Sequence, residues 1–458
     1  MSFWAKTKTA LSAVRAELPP LLTLALPVVV AELGWIAMSV VDTMMVGRVS
    51  PEAIGAVSIG SVLFYTIGVF GTGMLLGLDT LVPQAFGAGR LADCHRWLFH
   101  ALAGIAVLGP LLMVPMFLVL PFLEIWGIAH EVAEHAGPYT RSLLWSTLPL
   151  LGFMAFRHYL QAMNRVQVIM FVLVSANLVN AFANWVLIFG RLGSPEFGVE
   201  GAGWASCISR IYMCAALAGY IVWDAKKRGT GLFEAPRRIE ATRLRELGRL
   251  SFPAATQRAL EIGVFAMATA LVGRMDSLSL AAHQVALQAA SVTFMVPLGI
   301  SSAAAVRVGQ AIGRKDAESA HHSGWAAIAL GGGFMVAAGA LFVAFPEMII
   351  RLFSNDQELV AAGVGLLYVA ALFQLFDGLQ VAATGALRGA GDTKTAMLAN
   401  LAGHWFLGLP IGWWLAFRSG WGAVGVWAGL CIGLMAVGAV LVWHWGTRLE
   451  RLRHTAAA

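Results

Sequence analysis

Residues 27–48 read PVVVAELGWIAMSVVDTMMVGR, and 226 positions later residues 253–274 read PAATQRALEIGVFAMATALVGR. Both stretches open on a proline, close on Val-Gly-Arg, and are interrupted in between by two charged residues each. A helix needs about 20 mostly apolar residues to cross a bilayer, so each stretch is long enough for one crossing. The same offset lays Ala56 on Ala282, Gly73 on Gly299, Gln84-Ala85 on Gln310-Ala311 and Gly87 on Gly313. Further along it drifts to 223 or 224, with Ala176-Asn177-Leu178 on Ala399-Asn400-Leu401 and Gly201 on Gly425.

Working outward, apolar run length and charged punctuation place spans near 21–46, 55–82, 98–121, 139–163, 166–190 and 201–223. A second set follows near 248–273, 280–306, 323–346, 358–386, 395–417 and 421–446. Six spans separate the copies, so both halves enter the membrane in the same direction. Such a parallel repeat is a transporter arrangement, with substrate handled near the midplane where the halves meet. The predicted fold is an all-α polytopic membrane protein, with twelve transmembrane helices in two six-helix bundles. The N-terminal lobe takes 1–223, a cytoplasmic linker 224–247, and the C-terminal lobe 248–458 with a short tail. Composition points the same way: 59% of the 458 residues are hydrophobic and 12% charged, where a soluble protein carries about 25% charged. An ordinary cytosolic enzyme is excluded.

The formal charge of +6 does not mark a nucleic-acid binder, because the basic residues lie between apolar runs. The linker alone holds Lys226, Lys227, Arg228, Arg237, Arg238, Arg243 and Arg245 against four acids. With the N-terminus in the cytoplasm, 23 Lys/Arg fall inside, among them Lys6, Lys8, Arg157, Arg451 and Arg453, against 6 outside. The positive-inside rule then makes both termini cytoplasmic, in a multi-pass plasma membrane protein of the bacterial inner-membrane kind. No small-residue cleavage site follows the first apolar run, so no signal peptide is expected. Cys94, Cys207, Cys214 and Cys431 form no Cys-x-x-Cys pair and read as small apolar helix fillers.

Only Glu32, Asp42, Asp79, Glu261, Asp377, Arg210 and Arg258 fall well inside spans. Each costs about 2.5–3.5 kcal/mol at a helix centre, so each is a functional candidate. Glu261 in span 7 and Asp377 in span 10 should both sit near the midplane of the C-terminal half. Two acids there can attract a monovalent cation or carry a proton. The plainer alternative is a permanent pair between Glu261 and Arg258, three residues apart on one helix face. Asp42 lies late in span 1, and Asn177, Asn180 and Asn184 share one face of span 5. Together they offer either oxygen ligands for an alkali cation or interhelical hydrogen-bond glue. Asp79 reads as a local cap or pair, Glu32 as a solvated cavity wall, and His283 and His404 as buried structural histidines. Under the offset Asp42 falls on Ala268 and Glu261 on Trp35, so the halves are chemically unequal. Pro27 and Pro253 are either gating bends or harmless first-turn prolines.

In order along these spans, the chain resembles the multidrug and toxic compound extrusion (MATE) transporters, most closely the NorM-like branch. The resemblance is carried by Val41-Asp42-Thr43-Met44-Met45-Val46-Gly47-Arg48, Gly77-Leu78-Asp79-Thr80-Leu81 and Gln84-Ala85-Phe86-Gly87-Ala88-Gly89. Ala282-His283-Gln284, Val308-Gly309-Gln310-Ala311-Ile312-Gly313 and Leu387-Arg388-Gly389-Ala390-Gly391-Asp392-Thr393-Lys394 continue it. It implies a V-shaped pair of six-helix bundles that expel organic cations in exchange for sodium ions or protons. By this resemblance Glu261 and Asp377 line the cation region of the C-lobe, and Asp42, Asn180 and Asn184 form the N-lobe site. Phe294, Gln284 and Arg258 are candidates for the substrate cavity. Some relatives carry a tyrosine in span 8, where the nearest candidate here is Phe294; the ring face for a cation–π contact stays and the hydroxyl goes.

Gly389-Ala390-Gly391-Asp392-Thr393-Lys394-Thr395 lacks the Gly-Lys-Ser/Thr ending of a phosphate loop, so no ATP site or other cofactor is expected. The expected partners are the lipid bilayer and small organic cations, with no nucleic acid, and the functional unit is a monomer. A lipid-linked precursor flippase of related fold would call for a strongly cationic cavity, against five mid-span acids here. An intramembrane hydrolase would need a nucleophile and base at fixed spacing, and none is found.

Overall fold

The computed structural model describes residues 3–123, 125 and 130–448, with side chains from residue 12 onward except that of residue 51. The side chains of Lys6 and Lys8, and Arg451, Arg453 and the tail beyond 448, lie outside the described residues. The chain is helical, with no strand among the described residues. Its first half comprises α1 (Phe3–Val46), α2 (Pro51–Gly73), α3 (Leu78–Gly87), α4 (Leu91–Val119), α5 (His130–Leu144), α6 (Thr147–Ala162), α7 (Val166–Ile188) and α8 (Gly198–Arg228). The second comprises α9 (Ala241–Val272), α10 (Ser277–Gly313), α11 (Ala317–Ala344), α12 (Pro346–Arg351), α13 (Gln357–Gly389), α14 (Thr393–Asn400), α15 (Leu409–Phe417) and α16 (Gly422–Gly446).

Short polar caps start many of these helices. Ser50 accepts from Ala53 N at 3.1 Å with Pro51 following, Asp276 from Ser279 N at 2.7 Å, and Asp316 from Ser319 N at 2.9 Å. Each satisfies a backbone donor that the first helical turn leaves open. α8 ends on Gly229 with φ +62°, the left-handed position that glycine adopts without a Cβ clash.

Every expected span is helical, but three are not single helices. The span expected at 55–82 breaks between Gly73 and Leu78, where Gly77 N donates to Ser251 Oγ at 3.2 Å. The span expected at 139–163 breaks at Trp145–Ser146. There Ser146 Oγ donates to Leu143 O at 2.5 Å and Thr147 Oγ1 to Leu144 O at 2.7 Å, local bonds that compete with the helical ladder. The span expected at 395–417 is π-helical over Leu401–Gly408. Among the described residues nine helical stretches are long and apolar enough to cross a membrane by themselves. The three that fall short are the broken 139–163, the π-interrupted 395–417, and 248–273, which carries Gln257, Arg258 and Glu261.

The chain packs as two compact units. One holds Val30–Phe86 and Arg90–Ala255, the other Met1–Val29, Gly87–Gly89 and Thr256–Ala458. The chain changes unit after Val29 and again after Ala255, two residues past Pro27 and two past Pro253. Both prolines lie inside helices, Pro27 in α1 and Pro253 in α9, so neither is the first-turn proline that the plainer reading allowed. Each costs its helix an interior hydrogen bond.

Burial is organised as in a lipid solvent. On α7, Asn180 and Asn184 are fully buried, while Leu178 is 72% and Phe171 65% exposed. Amides turn inward because hydrocarbon offers them no partner. In the second unit α11 and α13 approach closely: a Cβ added to Gly378 would lie 2.6 Å from the Gly331 carbonyl oxygen. Small residues at such a crossing let backbones meet.

Candidate functional site

In the first unit the site is built on α1, α7 and α8. Asn184 Nδ2 donates to Asp42 Oδ1 at 2.5 Å and shares a second contact with Asn180 Oδ1 at 3.1 Å. Ser206 Oγ donates to Asp42 Oδ2 at 3.2 Å. Asp42, Asn180 and Asn184 are thus brought together as the sequence placed them. Asn177 instead donates back to Leu173 O at 2.9 Å. Beside the carboxylate lies a cavity of about 150 Å³ whose lining includes Trp35, Asp42, Tyr65, Tyr139, Ser206 and Arg210.

Arg210 is 5% exposed. Its Nη1 donates to Ser146 Oγ at 2.5 Å, and its guanidinium lies 4.6 Å from the centre of the Phe64 ring. The break between α5 and α6 falls at Ser146, whose hydroxyl accepts from Arg210. No ion pair joins Arg210 to Asp42 among the described residues.

The other mid-span charges of this unit pair off. Glu32 forms an ion pair with Arg157, both nearly buried. Arg157, counted from the sequence with the cytoplasmic charges, is thus an interior residue, and Glu32 is an ion-pair member rather than a solvated wall. Next to it, His158 donates from Nδ1 to Asp79 Oδ1 at 2.6 Å. Asp79 lies in the first turn of α3, where a negative charge suits the helix N-terminus.

In the second unit Glu261 stands on α9 and Asp377 on α13. Glu261 Oε1 accepts from Gln257 Nε2 at 3.0 Å and from Gln380 Nε2 at 2.7 Å. Gln380 also reaches Asn400 Oδ1 at 3.4 Å. Arg258 and Arg388 are near enough for their charges to act on Glu261, and Glu261 is near enough to repel Asp377. Arg258 makes no ion pair with Glu261, so the permanent pairing considered above does not form. Trp405, in the π-helical turns, donates from Nε1 to Leu260 O at 3.1 Å and so braces α9 beside Glu261. π-helical insertions of this kind recur at functional sites. Phe294 and Arg258 are half-buried and Gln284 exposed.

His283 is a structural residue. Trp427 Nε1 donates to its Nδ1 at 2.9 Å, which leaves the proton on Nε2 facing Thr269 Oγ1 at 2.9 Å. His404 is also buried, and all four cysteines are free.

Sequence reasoning missed Ser206, Gln257 and Gln380. Each had a signal: Ser206 precedes Arg210 by four, Gln257 precedes Glu261 by four, and Gln380 follows Asp377 by three, all helix-face spacings.

A family model described as MatE matches residues 27–186 and 253–414, two copies that begin on the two repeat prolines. A Mesorhizobium japonicum protein named "Probable multidrug resistance protein NorM" is 36% identical over 442 residues, 94% of either chain. One of the same name from Rhodopseudomonas palustris is 37% identical over 451 residues, 98% of this chain and 94% of its own. A crystal structure of a eukaryotic MATE transporter aligns with a TM-score of 0.86 at 21% identity, covering 97% of this chain and 100% of that one; at that identity the likeness speaks for the fold. Matched twice over most of its length, with relatives above 30% identical from end to end, the chain belongs to the MatE family.

Proposed function

We propose that the protein is a secondary active multidrug efflux antiporter that expels organic cations in exchange for sodium ions or protons. It works as a monomer in the bacterial inner membrane, both termini cytoplasmic, with the coupling ion in place of any cofactor. The observation that carries this reading is the pair Glu261 and Asp377 on α9 and α13. Among the described residues neither forms an ion pair, and Glu261 is held by amides alone. Two carboxylates kept in a membrane span at such cost, one hydrogen-bonded by amides and near two arginines that form no ion pair with it, suit a cation that comes and goes. Their mutual repulsion favours taking up one positive charge, and drug affinity that differs between cation-loaded and empty states would supply the coupling. The NorM names of the relatives support the drug class. A lipid-linked precursor flippase would call for a surplus of buried cations, and no such cluster is formed by the described residues.

The test is dye efflux in everted membrane vesicles. Glu261→Gln and Asp377→Asn should each abolish cation-driven ethidium movement while the purified proteins remain monodisperse. Wild-type efflux from both variants would overturn the assignment.

A further inference from the structure

In the first unit, two opposite charges line one cavity and do not touch. Asp42 is held by Asn184 at 2.5 Å and Ser206 at 3.2 Å. Arg210 is held by the Ser146 hydroxyl at 2.5 Å and the face of Phe64 at 4.6 Å. A buried guanidinium with a carboxylate in the same low-dielectric space is drawn to it more strongly than to a hydroxyl and a ring. In its position on Ser146 and Phe64 it leaves the Asp42 charge to two hydrogen bonds and to whatever positive charge enters the cavity.

Reach is not the obstacle. Ser206 and Arg210 are four residues apart on α8 and share a helix face. The Ser206 hydroxyl already meets Asp42 Oδ2. An arginine one turn away on the same helix face, lining the same cavity and with a side chain several atoms longer than serine's, has the length to approach the same carboxylate while α8 stays still. The resting place is also built for it. The hydrogen of Ser146 Oγ is committed to Leu143 O, so the hydroxyl presents Arg210 with a lone pair.

We propose that Arg210 is a tethered competitor for the cation at Asp42: it rests on Ser146 and Phe64 while a cation occupies the carboxylate, and expels that cation by pairing with Asp42 itself. This rests on the antiporter reading and adds to it a release device in the N-terminal half. Occupancy by cation and by Arg210 exclude one another, so removing the arginine should tighten binding and slow release. A role in packing alone would move both the other way or not at all.

The experiment uses the full-length protein with radiolabelled tetraethylammonium, a fixed cation with no proton to lose. Binding is measured on purified protein and efflux in proteoliposomes. Arg210→Gln should bind at least about tenfold more tightly and turn over about tenfold more slowly, since typical coupling between sites spans ~5–150-fold. Arg210→Lys, which keeps the charge, should restore turnover. Asp42→Asn in the Arg210→Gln background should erase the gain in affinity. Ser146→Ala, which removes the resting place and keeps the charge, should weaken binding severalfold; it carries the test if Arg210→Gln does not accumulate. Unchanged or weaker binding by Arg210→Gln, a gain that survives Asp42→Asn, or wild-type binding by Ser146→Ala each overturns the proposal. Wild-type protein that neither binds nor moves tetraethylammonium or ethidium would instead overturn the antiporter reading beneath it.

Discussion

Asp42 is a single carboxylate with an arginine lining the same cavity, whereas Glu261 and Asp377 are two carboxylates on α9 and α13, Glu261 with amide donors and the charges of Arg258 and Arg388 acting on it. The same 226-residue frame holds both. It lays Asp42 on Ala268, Glu261 on Trp35 and Glu32 on Arg258. The duplication thus preserves an interior proline two residues before a change of unit, Pro27 and Pro253, while the chemistry on each copy is separate. The difference teaches how two sites in one frame can treat a cation differently. On the antiporter reading proposed above, the two carboxylates of the C-terminal half take up a positive charge, and in the N-terminal half Arg210 sets its own positive charge against any that enters.

The largest expected effect tests that asymmetry. Asp377→Asn relieves the repulsion between the two acids and should abolish gradient-driven efflux, a fall of at least about 100-fold, the upper end of ordinary coupling. A variant that keeps its driving-ion dependence would show that two acids are not required.

Next in size is the Glu32–Arg157 pair, which has no equivalent in the second half because Arg258 takes the place of Glu32. Losing one partner of a buried pair costs about 3–5 kcal/mol. Glu32→Gln should therefore lower thermal stability sharply, and Glu32→Leu combined with Arg157→Leu should recover most of the loss. A single variant as stable as wild type would mean the pair is solvated and slack.

Smaller again is the close crossing of α11 and α13. Gly378→Ala forces a methyl group against the Gly331 carbonyl and should cost about 1–3 kcal/mol, read as a lower melting temperature. If stability is unchanged, the two helices have room to part.

The smallest effect concerns Asp392, in the loop before α14. Burial alone would raise its carboxyl, but the charge and hydrogen bond of Arg448, with the Thr395 N–H, outweigh burial and hold it below the usual carboxylate range. A carboxyl lowered in the folded state lends stability that is present above its unfolded value and lost as pH falls through the folded one. Wild type should thus lose a small increment, about 1 kcal/mol or less, on acidification below about pH 4. Asp392→Asn should start without that increment and show a flatter acid profile in thermal unfolding. An identical profile would remove Asp392 from the acid response.

Span positions and the repeat were legible because they depend on run length and on one constant offset. So were Asp42, Asn180 and Asn184, since charge depth and spacing on a helix face are local facts. The break at Trp145–Ser146 was not, because it goes with the Ser146 and Thr147 hydroxyls bonding back to the Leu143 and Leu144 carbonyls, which the apolar run conceals. Arg157 was misplaced for a different reason: its partner Glu32 is 125 residues away, and only packing brings them together. Gln380 donates to Glu261 from 119 residues away; its spacing from Asp377 announced a shared face but not what that face met. The interior prolines lay between, since position along the span was readable and depth within the helix was not.

The most direct measurement is ethidium efflux from proteoliposomes under an imposed sodium gradient alone, then under a pH gradient alone, with wild type and Glu261→Gln in parallel. Wild type should drive the dye uphill on at least one of the two gradients, and Glu261→Gln on neither. Dye movement that ignores both gradients, or that is equal in the two proteins, would contradict cation-coupled antiport through the Glu261–Asp377 site.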